Sequence, residues 1–426
     1  MNAILSIQLG LRLFALFALG TLVGGFINLA VYRLAWNRRL ISPWSAAPPG
    51  QSRRWPDRLP LVGWFRLWRE TALHGPHFWI RPLAVEIVTG LLFAGLYVWE
   101  TERAVPFLLL PAGEPLPMFL SADLPLVAHV RFASHLILVA LMLAASLIDI
   151  DEKTIPDAIT VAGTIIGLGL AAVDPWTLLP AMHWIVAGVP QVELLTFVSP
   201  GPWPDALGGW PRREPLAIAL GCWTLWCGGL TPRRWNTRRG LATAVRVFFH
   251  RLRAERITYG IAVLWLAGCL ALALAAWLAP PANWAALLTA LVGMAAGGGI
   301  IWAVRIVGGL ALRQEAMGFG DVTLMAMIGS FIGWQGALIV FFLAPFAGLV
   351  IGLLQWIVHR DNEIPYGPFL CLATLVVIVF WNDLWDRTSD IFALGSLLVA
   401  ALAVCVVLMG AMLLGFRAIR ERAAPH

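Results

Sequence analysis

Apolar residues in this chain run in long, nearly unbroken blocks, and polar or basic residues fill the gaps between them. The blocks lie at 9–32, 82–99, 131–149, 158–174, 215–231, 258–279, 285–311, 322–334, 337–358, 367–382 and 391–416. Most hold about 20 residues, the length an α-helix needs to cross the hydrocarbon core of a bilayer. The pattern predicts an all-α fold: a polytopic membrane helical bundle of about eleven spans. Segment 322–334 is short for a full crossing and needs neighbours to shield it. Proline-rich stretches at 43–60 and 187–215 read as loops on opposite sides. No internal repeat is evident.

Charge orients the spans. Arginines crowd the gap 33–81, the stretch from Arg233 to Arg256 and the tail at Arg417, Arg420 and Arg422, whereas the gap 101–130 carries Glu102, Glu114 and Asp123. The positive-inside rule then sets the N-terminus outside and the C-terminus in the cytoplasm, with Asp149, Asp321 and His359-Arg360-Asp361 on the cytoplasmic side. Strong positive charge behind the first span and little before it predict a retained anchor, not a cleaved leader. Composition agrees: 60% of the 426 residues are hydrophobic and 13% charged, with a mean hydropathy of +0.80. Several of the 22 tryptophans, Trp79, Trp99 and Trp381 among them, fall near predicted span ends, as an aromatic belt requires. The net charge of +6 lies at span ends and argues against a nucleic-acid partner. The five cysteines sit in or beside apolar blocks and read as buried thiols.

Two acidic sites stand out because a carboxylate at the edge of a bilayer is costly. Asp149 ends the third block, in Ser146-Leu-Ile-Asp-Ile-Asp-Glu-Lys-Thr-Ile-Pro-Asp157, and Asp321 opens the eighth, in Met317-Gly-Phe-Gly-Asp-Val-Thr-Leu324. Gly318 and Gly320 free the backbone beside Asp321 for conformations closed to other residues, so that a substrate strand could approach. Taken singly, Asp321 also reads as a helix N-cap and Asp149 as an interfacial helix end. Asp157 reads as the cap of the next helix. Asp151 and Glu152 are either solvated or meet a basic substrate segment. Together Asp149 and Asp321 suit peptide hydrolysis: one ionised carboxylate activates water while a protonated partner polarises the carbonyl. Helix polarity assigns Asp321, at an N-terminus, as the base and Asp149, at a C-terminus, as the acid.

This pair resembles that of the type IV prepilin peptidases, bacterial inner-membrane proteases of the Gly-x-Gly-Asp type. Gly24-Gly-Phe-Ile-Asn-Leu-Ala-Val-Tyr-Arg-Leu34 is similar to the family's first helix, usually Gly-Ser-Phe-Leu-Asn-Val-Val-Ile-x-Arg-Leu. Asp57-Arg-Leu-Pro-Leu-Val-Gly-Trp64 and Arg81-Pro-Leu-Ala-Val-Glu-Ile-Val-Thr-Gly90 resemble its N-terminal cytoplasmic region and second span. Ile364-Pro-Tyr-Gly-Pro-Phe369 resembles a late element, Ile-Pro-Phe-Gly-Pro-Phe. The resemblance implies catalytic roles for Asp149 and Asp321. It also implies cleavage of a basic leader from prepilins or pseudopilins, with Pro365 and Gly367 helping to shape the site. Many relatives then methylate the new N-terminus with S-adenosylmethionine, which implicates Asn28, Arg33 and Glu86.

The chain departs from that family in two ways. Where many relatives carry two Cys-x-x-Cys pairs, it has Ser42-Pro-Trp-Ser45 and Leu73-His-Gly-Pro-His77, so zinc is not expected. The two aspartates are also unusually far apart, which predicts an inserted two-span segment at about 175–284. The expected division is an N-terminal anchor, cytoplasmic loop and second span over 1–130, and a peptidase membrane domain over 131–426. No cofactor is needed for proteolysis by such a pair. The competing readings are a catalytically inactive relative acting as a membrane scaffold, and a transporter whose carboxylates mark an ion path.

Overall fold

The computed structural model describes residues 7–38, 41–45, 47, 52–103, 124–184, 190–209, 211–231, 256–312, 317–358 and 365–423. Most of the basic stretch Arg233–Arg256, His359-Arg360-Asp361 and most of the acidic gap after the second span lie outside these residues. The fold is an all-α membrane bundle. Its long helices are α1 (Leu9–Leu34), α2 (Ile80–Tyr97), α3 (Leu124–Glu152), α4 (Asp157–Val173), α5 (Arg213–Leu230), α6 (Arg256–Leu278) and α7 (Pro281–Leu312). These are followed by α8 (Phe319–Val358), α9 (Gly367–Val379), α10 (Trp381–Phe392) and α11 (Ser396–Ala423). Helices satisfy every backbone donor and acceptor internally, which is the condition for lying in lipid. A helix falls on each of the predicted blocks. Among the described residues seven are long and apolar enough to cross a membrane, or eight if α9 and α10, bent by 95°, form one broken span. At 17 residues, α4 is shorter than that standard.

Contacts fix how the helices run. In α1 and α2, Arg12 reaches the Tyr97 hydroxyl at 2.6 Å and Asn28 the Pro82 carbonyl at 2.9 Å, so the pair is antiparallel. α3 returns beside α2, with His135 at Glu100 and Arg81 at Leu147. α7 and the first half of α8 pack through small residues: a Cβ on Gly297 would sit 2.6 Å from the Met325 carbonyl, and one on Gly293 would collide with the carbonyl of Gly329. Gly297 faces Ala337 as well, at 3.5 Å. Residues 325 and 337 therefore flank the same point of α7, and the chain reverses between them. The reversal is at Gly333, whose φ of 74° and ψ of 173° break α8. That φ/ψ region is open essentially to glycine alone. The break falls between the two segments predicted at 322–334 and 337–358.

Two ends result. One gathers Asp149, Asp321 and the chain between α1 and α2. The far end holds the Gly333 reversal, α10 and residues 174–209. In that loop region the sequence hid a two-stranded antiparallel hairpin, β1 (Pro180–Trp184) with β2 (Pro190–Leu194), pairing Pro180 with Leu194. Tryptophan N–H groups fasten this end: Trp381 donates to the Pro180 carbonyl at 2.6 Å and Trp334 to that of Phe197 at 2.7 Å. The main core joins α3, α4, α8 and α9 through Leu138, Ile148, Ile159, Leu324, Phe331 and Leu370. A second cluster binds α5, α6 and α7 around Trp223, Trp226 and Trp284.

Candidate active site

Asp149 sits one turn before the end of α3, where Lys153, at a φ of 54°, turns the chain out of the helix. Only 5% of Asp149 is exposed. Its Oδ2 accepts the N–H of Gly367 at 3.1 Å, at the first residue of α9. The free N–H groups of a helix start are natural partners for a carboxylate. A side chain there would push that carboxyl aside, since a Cβ on Gly367 would lie 2.5 Å from the oxygen. Asp321 is the third residue of α8, and only 8% of it is exposed. The N–H of Gly318 donates to its carboxyl, and the Asp149 carboxyl is near enough to act on it through charge. The two predicted aspartates are therefore brought together at one end of the bundle.

Ile155 is the wedge that joins their supports. A Cβ on Gly320 would be 2.9 Å from Ile155 Cβ, and one on Gly367 would be 2.9 Å from Ile155 Cδ1. This corrects the reason expected for the glycines beside Asp321. Neither has a positive φ. Gly320 is small so that α8 can close on Ile155, and Gly318 supplies an N–H. Helix polarity does not separate the two acids as expected either: the start of α9 faces Asp149 much as the start of α8 faces Asp321. Asp157 is not the cap of α4. Pro156 holds that place without a side-chain hydrogen bond, and Asp157 stands in the first turn.

Other sequence candidates divide. Pro365 and Gly367 stand at the start of α9, beside Asp149. Asp151 is engaged by Arg81, whose Nη1 reaches its two oxygens at 2.7 and 2.8 Å. Glu152 accepts the Asn37 N–H at 3.4 Å. Asn28 and Glu86 both lie along the α1–α2 crossing: Asn28 donates to the Pro82 carbonyl, while Gly24 and Gly25 lie directly against Glu86 and the Leu61 N–H donates to its Oε2 at 2.5 Å. Arg33 is exposed at the end of α1.

Between α1 and α2, buried Asp57 accepts from the Arg54 N–H at 2.8 Å, Arg66 at 2.5 Å and Arg69 at 3.2 Å. Burial pushes its carboxyl up, but these donors and the Arg66 and Arg69 charges outweigh that and hold it below its ordinary 3.8. Arg53 ties the same region together. It donates to the carbonyls of Ser42 and Ser45, to the Ser45 hydroxyl and to Glu70, which His74 also approaches at 3.4 Å. Among the described residues no group of three or more His, Cys, Asp or Glu could hold a metal ion.

Sequence reasoning missed three residues near the acids. Tyr366 is one, its hydroxyl pushed up to about 12 by burial and by the Asp321 charge. The others are Thr160 and Thr323, whose hydroxyls meet at 3.0 Å between α4 and α8. The only visible signal was the tyrosine standing where the resembling motif has phenylalanine.

Residues 252–353 match the model of the type IV leader peptidase family, and residues 18–100 that of the bacterial peptidase A24 N-terminal domain. Asp321 lies within the first match, and Asp149 lies between the two. The first match begins inside the segment expected as an insertion. Over 97 residues the chain is 32% identical to the prepilin leader peptidase/N-methyltransferase of Aeromonas salmonicida, covering 22% of this chain and 33% of that protein. Over 73 residues it is 37% identical to the Legionella pneumophila protein of the same name, covering 16% and 25%. Over 124 residues it is 32% identical to the one from Pseudomonas aeruginosa, covering 28% and 42%. The chain thus matches between 25% and 42% of the length of these relatives. No solved structure matches it.

Proposed function

We propose, for a chain that belongs to the type IV prepilin peptidase family, that it is an aspartic endopeptidase cutting the basic leader from prepilin- or pseudopilin-like proteins. The observation that carries this reading is the convergence of Asp149 and Asp321, two buried carboxyls from distant parts of the chain, at one end of a membrane bundle. In this reading the pair shares one proton. The ionised member takes a proton from water as the oxygen adds to the scissile carbonyl, and the protonated member gives its proton to the carbonyl oxygen. The C–N bond then breaks as the leaving nitrogen takes up a proton. Gly367 N–H and Gly318 N–H orient the two carboxyls and play no part in the bond changes. The site would lie in the inner membrane, facing the cytoplasm.

Proteolysis by this pair needs no cofactor. Zinc does not suit the region of Ser42 and Ser45, because the Arg53 guanidinium already fills the space among their oxygens, and a cation there opposes a second one. N-methyl transfer is the other activity in the relatives' names, and S-adenosylmethionine is the donor we propose for it. Asn28, Arg33 and Glu86 are the residues we assign to it, although Glu86 is packed against Gly24 and already accepts the Leu61 N–H.

The test is cleavage of a prepilin-like substrate by purified wild type, Asp149→Ala and Asp321→Ala. We expect activity in the wild type and none in either folded variant. A folded wild type that cuts none of a panel of such substrates would favour the scaffold reading.

A further inference from the structure

Asp149 is met on one side by the Gly367 N–H, and the turn that carries it is gripped on the other by the start of α2. Arg81, the second residue of α2, reaches across to the last turns of α3. Its Nη1 donates to the two oxygens of Asp151 at 2.7 and 2.8 Å, and its Nη2 donates to the Leu147 carbonyl at 3.3 Å. Leu147 and Asp151 stand two residues before and two after Asp149. At about 3.6 residues per turn, both fall on the helix face turned away from the Asp149 side chain. One guanidinium therefore spans the catalytic turn from behind.

The chemistry suits that place. Asp151 puts a carboxylate in the last turn of a helix, where the helix dipole opposes it and a cation offsets it. Just beyond, Lys153, at a φ of 54°, takes the chain out of α3, so no further helical turn steadies Asp149. Arg81 is itself anchored, because the neighbouring Pro82 carbonyl accepts from buried Asn28 of α1 at 2.9 Å. The ion pair is partly exposed, 45% at the Arg81 side chain and 31% at that of Asp151. A pair so exposed adds little to overall stability. What its three directed contacts fix is local geometry.

We propose that Arg81 is a positioning residue for the cut: through Asp151 and Leu147 it holds the end of α3 so that Asp149 meets Gly367 and Asp321. The inference rests on the peptidase reading. It gives the N-terminal part of the chain a role in proteolysis, since Arg81 lies within residues 18–100, the segment matching the N-terminal domain model, and Asp149 lies outside it. It also assigns Asp151 to this clamp and not to a basic leader.

The far end of the same helix pair supplies a control. There His135 of α3 lies 2.7 Å from Glu100, just past α2, and both are buried. The full-length protein is tested in nanodiscs as wild type, Arg81→Ala, Asp151→Ala, the double variant and His135→Ala. Arg81→Lys, which keeps the cation but loses the planar guanidinium, is the milder change should Arg81→Ala fold poorly. Cleavage kinetics use prepilin-like peptides with leaders of low and of high positive charge. Hydrogen exchange over residues 149–155 and 319–325 reads the two acid-bearing turns without calling on activity.

In Arg81→Ala we expect kcat to fall about tenfold or more, with KM within about twofold for either leader. Its melting temperature should stay close to that of the wild type. Exchange over 149–155 should quicken about tenfold while 319–325 is unchanged. Asp151→Ala should lose less, because the Leu147 contact survives, and the double variant should be no worse than Arg81→Ala. His135→Ala should melt earlier and keep its kcat. A wild type that cuts, with kcat unchanged in Arg81→Ala, would overturn the positioning role and leave the peptidase standing. So would a KM for the highly charged leader that falls in Arg81→Ala and rises in Asp151→Ala at constant kcat, since Asp151 would then be a leader site. A kcat loss in His135→Ala equal to that in Arg81→Ala would reduce the effect to general docking of the two helices and overturn it too. A wild type that cuts nothing would remove the peptidase reading and the positioning role with it, and unchanged exchange over 149–155 would remove the clamp as well.

Discussion

At the scale of single residues the site depends on atoms that are absent. Gly367 lets its own N–H reach Asp149, and a methyl group there would meet the carboxyl oxygen at 2.5 Å. Since displacing a catalytic group by about 1 Å can cost about a hundredfold, Gly367→Ala should lower kcat by about that factor and change KM far less. Steady-state kinetics on a folded sample checks this; an unchanged kcat would mean that Gly367 does not fix the position of Asp149 for the cut. Arg53 is a different case, because it and Glu70 are 5% and 1% exposed at the side chain and hold one another at 2.9 Å. Arg53→Ala leaves the Glu70 carboxylate buried with, among the described residues, His74 as its remaining charged neighbour, and should cost about 3–5 kcal/mol. A denaturation curve reporting on the chain between α1 and α2 measures it. Asp57 adds a pH dependence. Its carboxyl titrates below 3.8 in the fold, so the unfolded chain binds more protons in that range. Its contribution is therefore full above about pH 4 and fades as pH falls through the lower, folded value. Asp57→Asn should flatten this acid limb, while a loss of stability at neutral pH alone would contradict the assignment.

At the scale of elements, α8 is two antiparallel helices joined at one glycine. Gly333→Ala forces a side chain into φ/ψ space that costs about 1–3 kcal/mol. The strain lies at the far end from Asp321. The expected outcome is lower thermal stability with little change in kcat, and a variant that melts like the wild type would argue for another geometry at residue 333. This element also marks what could be read from the chain. The drop in hydropathy around Gly333-Trp-Gln335 is visible in sequence, so the two halves could be separated without coordinates. The Gly-Phe-Gly-Asp string was visible too, but its physical reason was not. Gly320 is small because Ile155, far away in sequence, packs against it. Asp151 similarly looked available to a basic substrate until Arg81 was seen to hold it. Local patterns gave the helices and the two acids. What they withheld were long-range contacts and the strands of 180–194.

At the scale of the molecule, the two ends of the bundle differ in charge. Arg33, Arg54, Arg58, Arg66, Arg69 and Arg81 cluster with the aspartates, whereas Glu100, Glu102, Asp174, Asp383, Asp386 and Asp390 lie at the far end. α6 and α11 are only 11% buried over their most apolar windows. Helices so exposed and so apolar are explained by lipid around them. With lipid on the flanks, the excess of arginine predicts that the aspartate end faces the cytoplasm. The first described turn of α1 belongs to the far end, through the Arg12 contacts to Tyr97 and Glu102. The last turns of α11 belong to the aspartate end, through Arg417 and the Ala311 carbonyl. A fluorescent reporter that folds only in the cytoplasm, fused after Ala423, should therefore be bright, and an export-dependent phosphatase inserted near Asp205 should be active. Leader cleavage at the cytoplasmic face requires both results. A dark C-terminal fusion beside an inactive phosphatase would place the two carboxyls on the outer face, where a substrate meets them only after its leader has crossed the membrane.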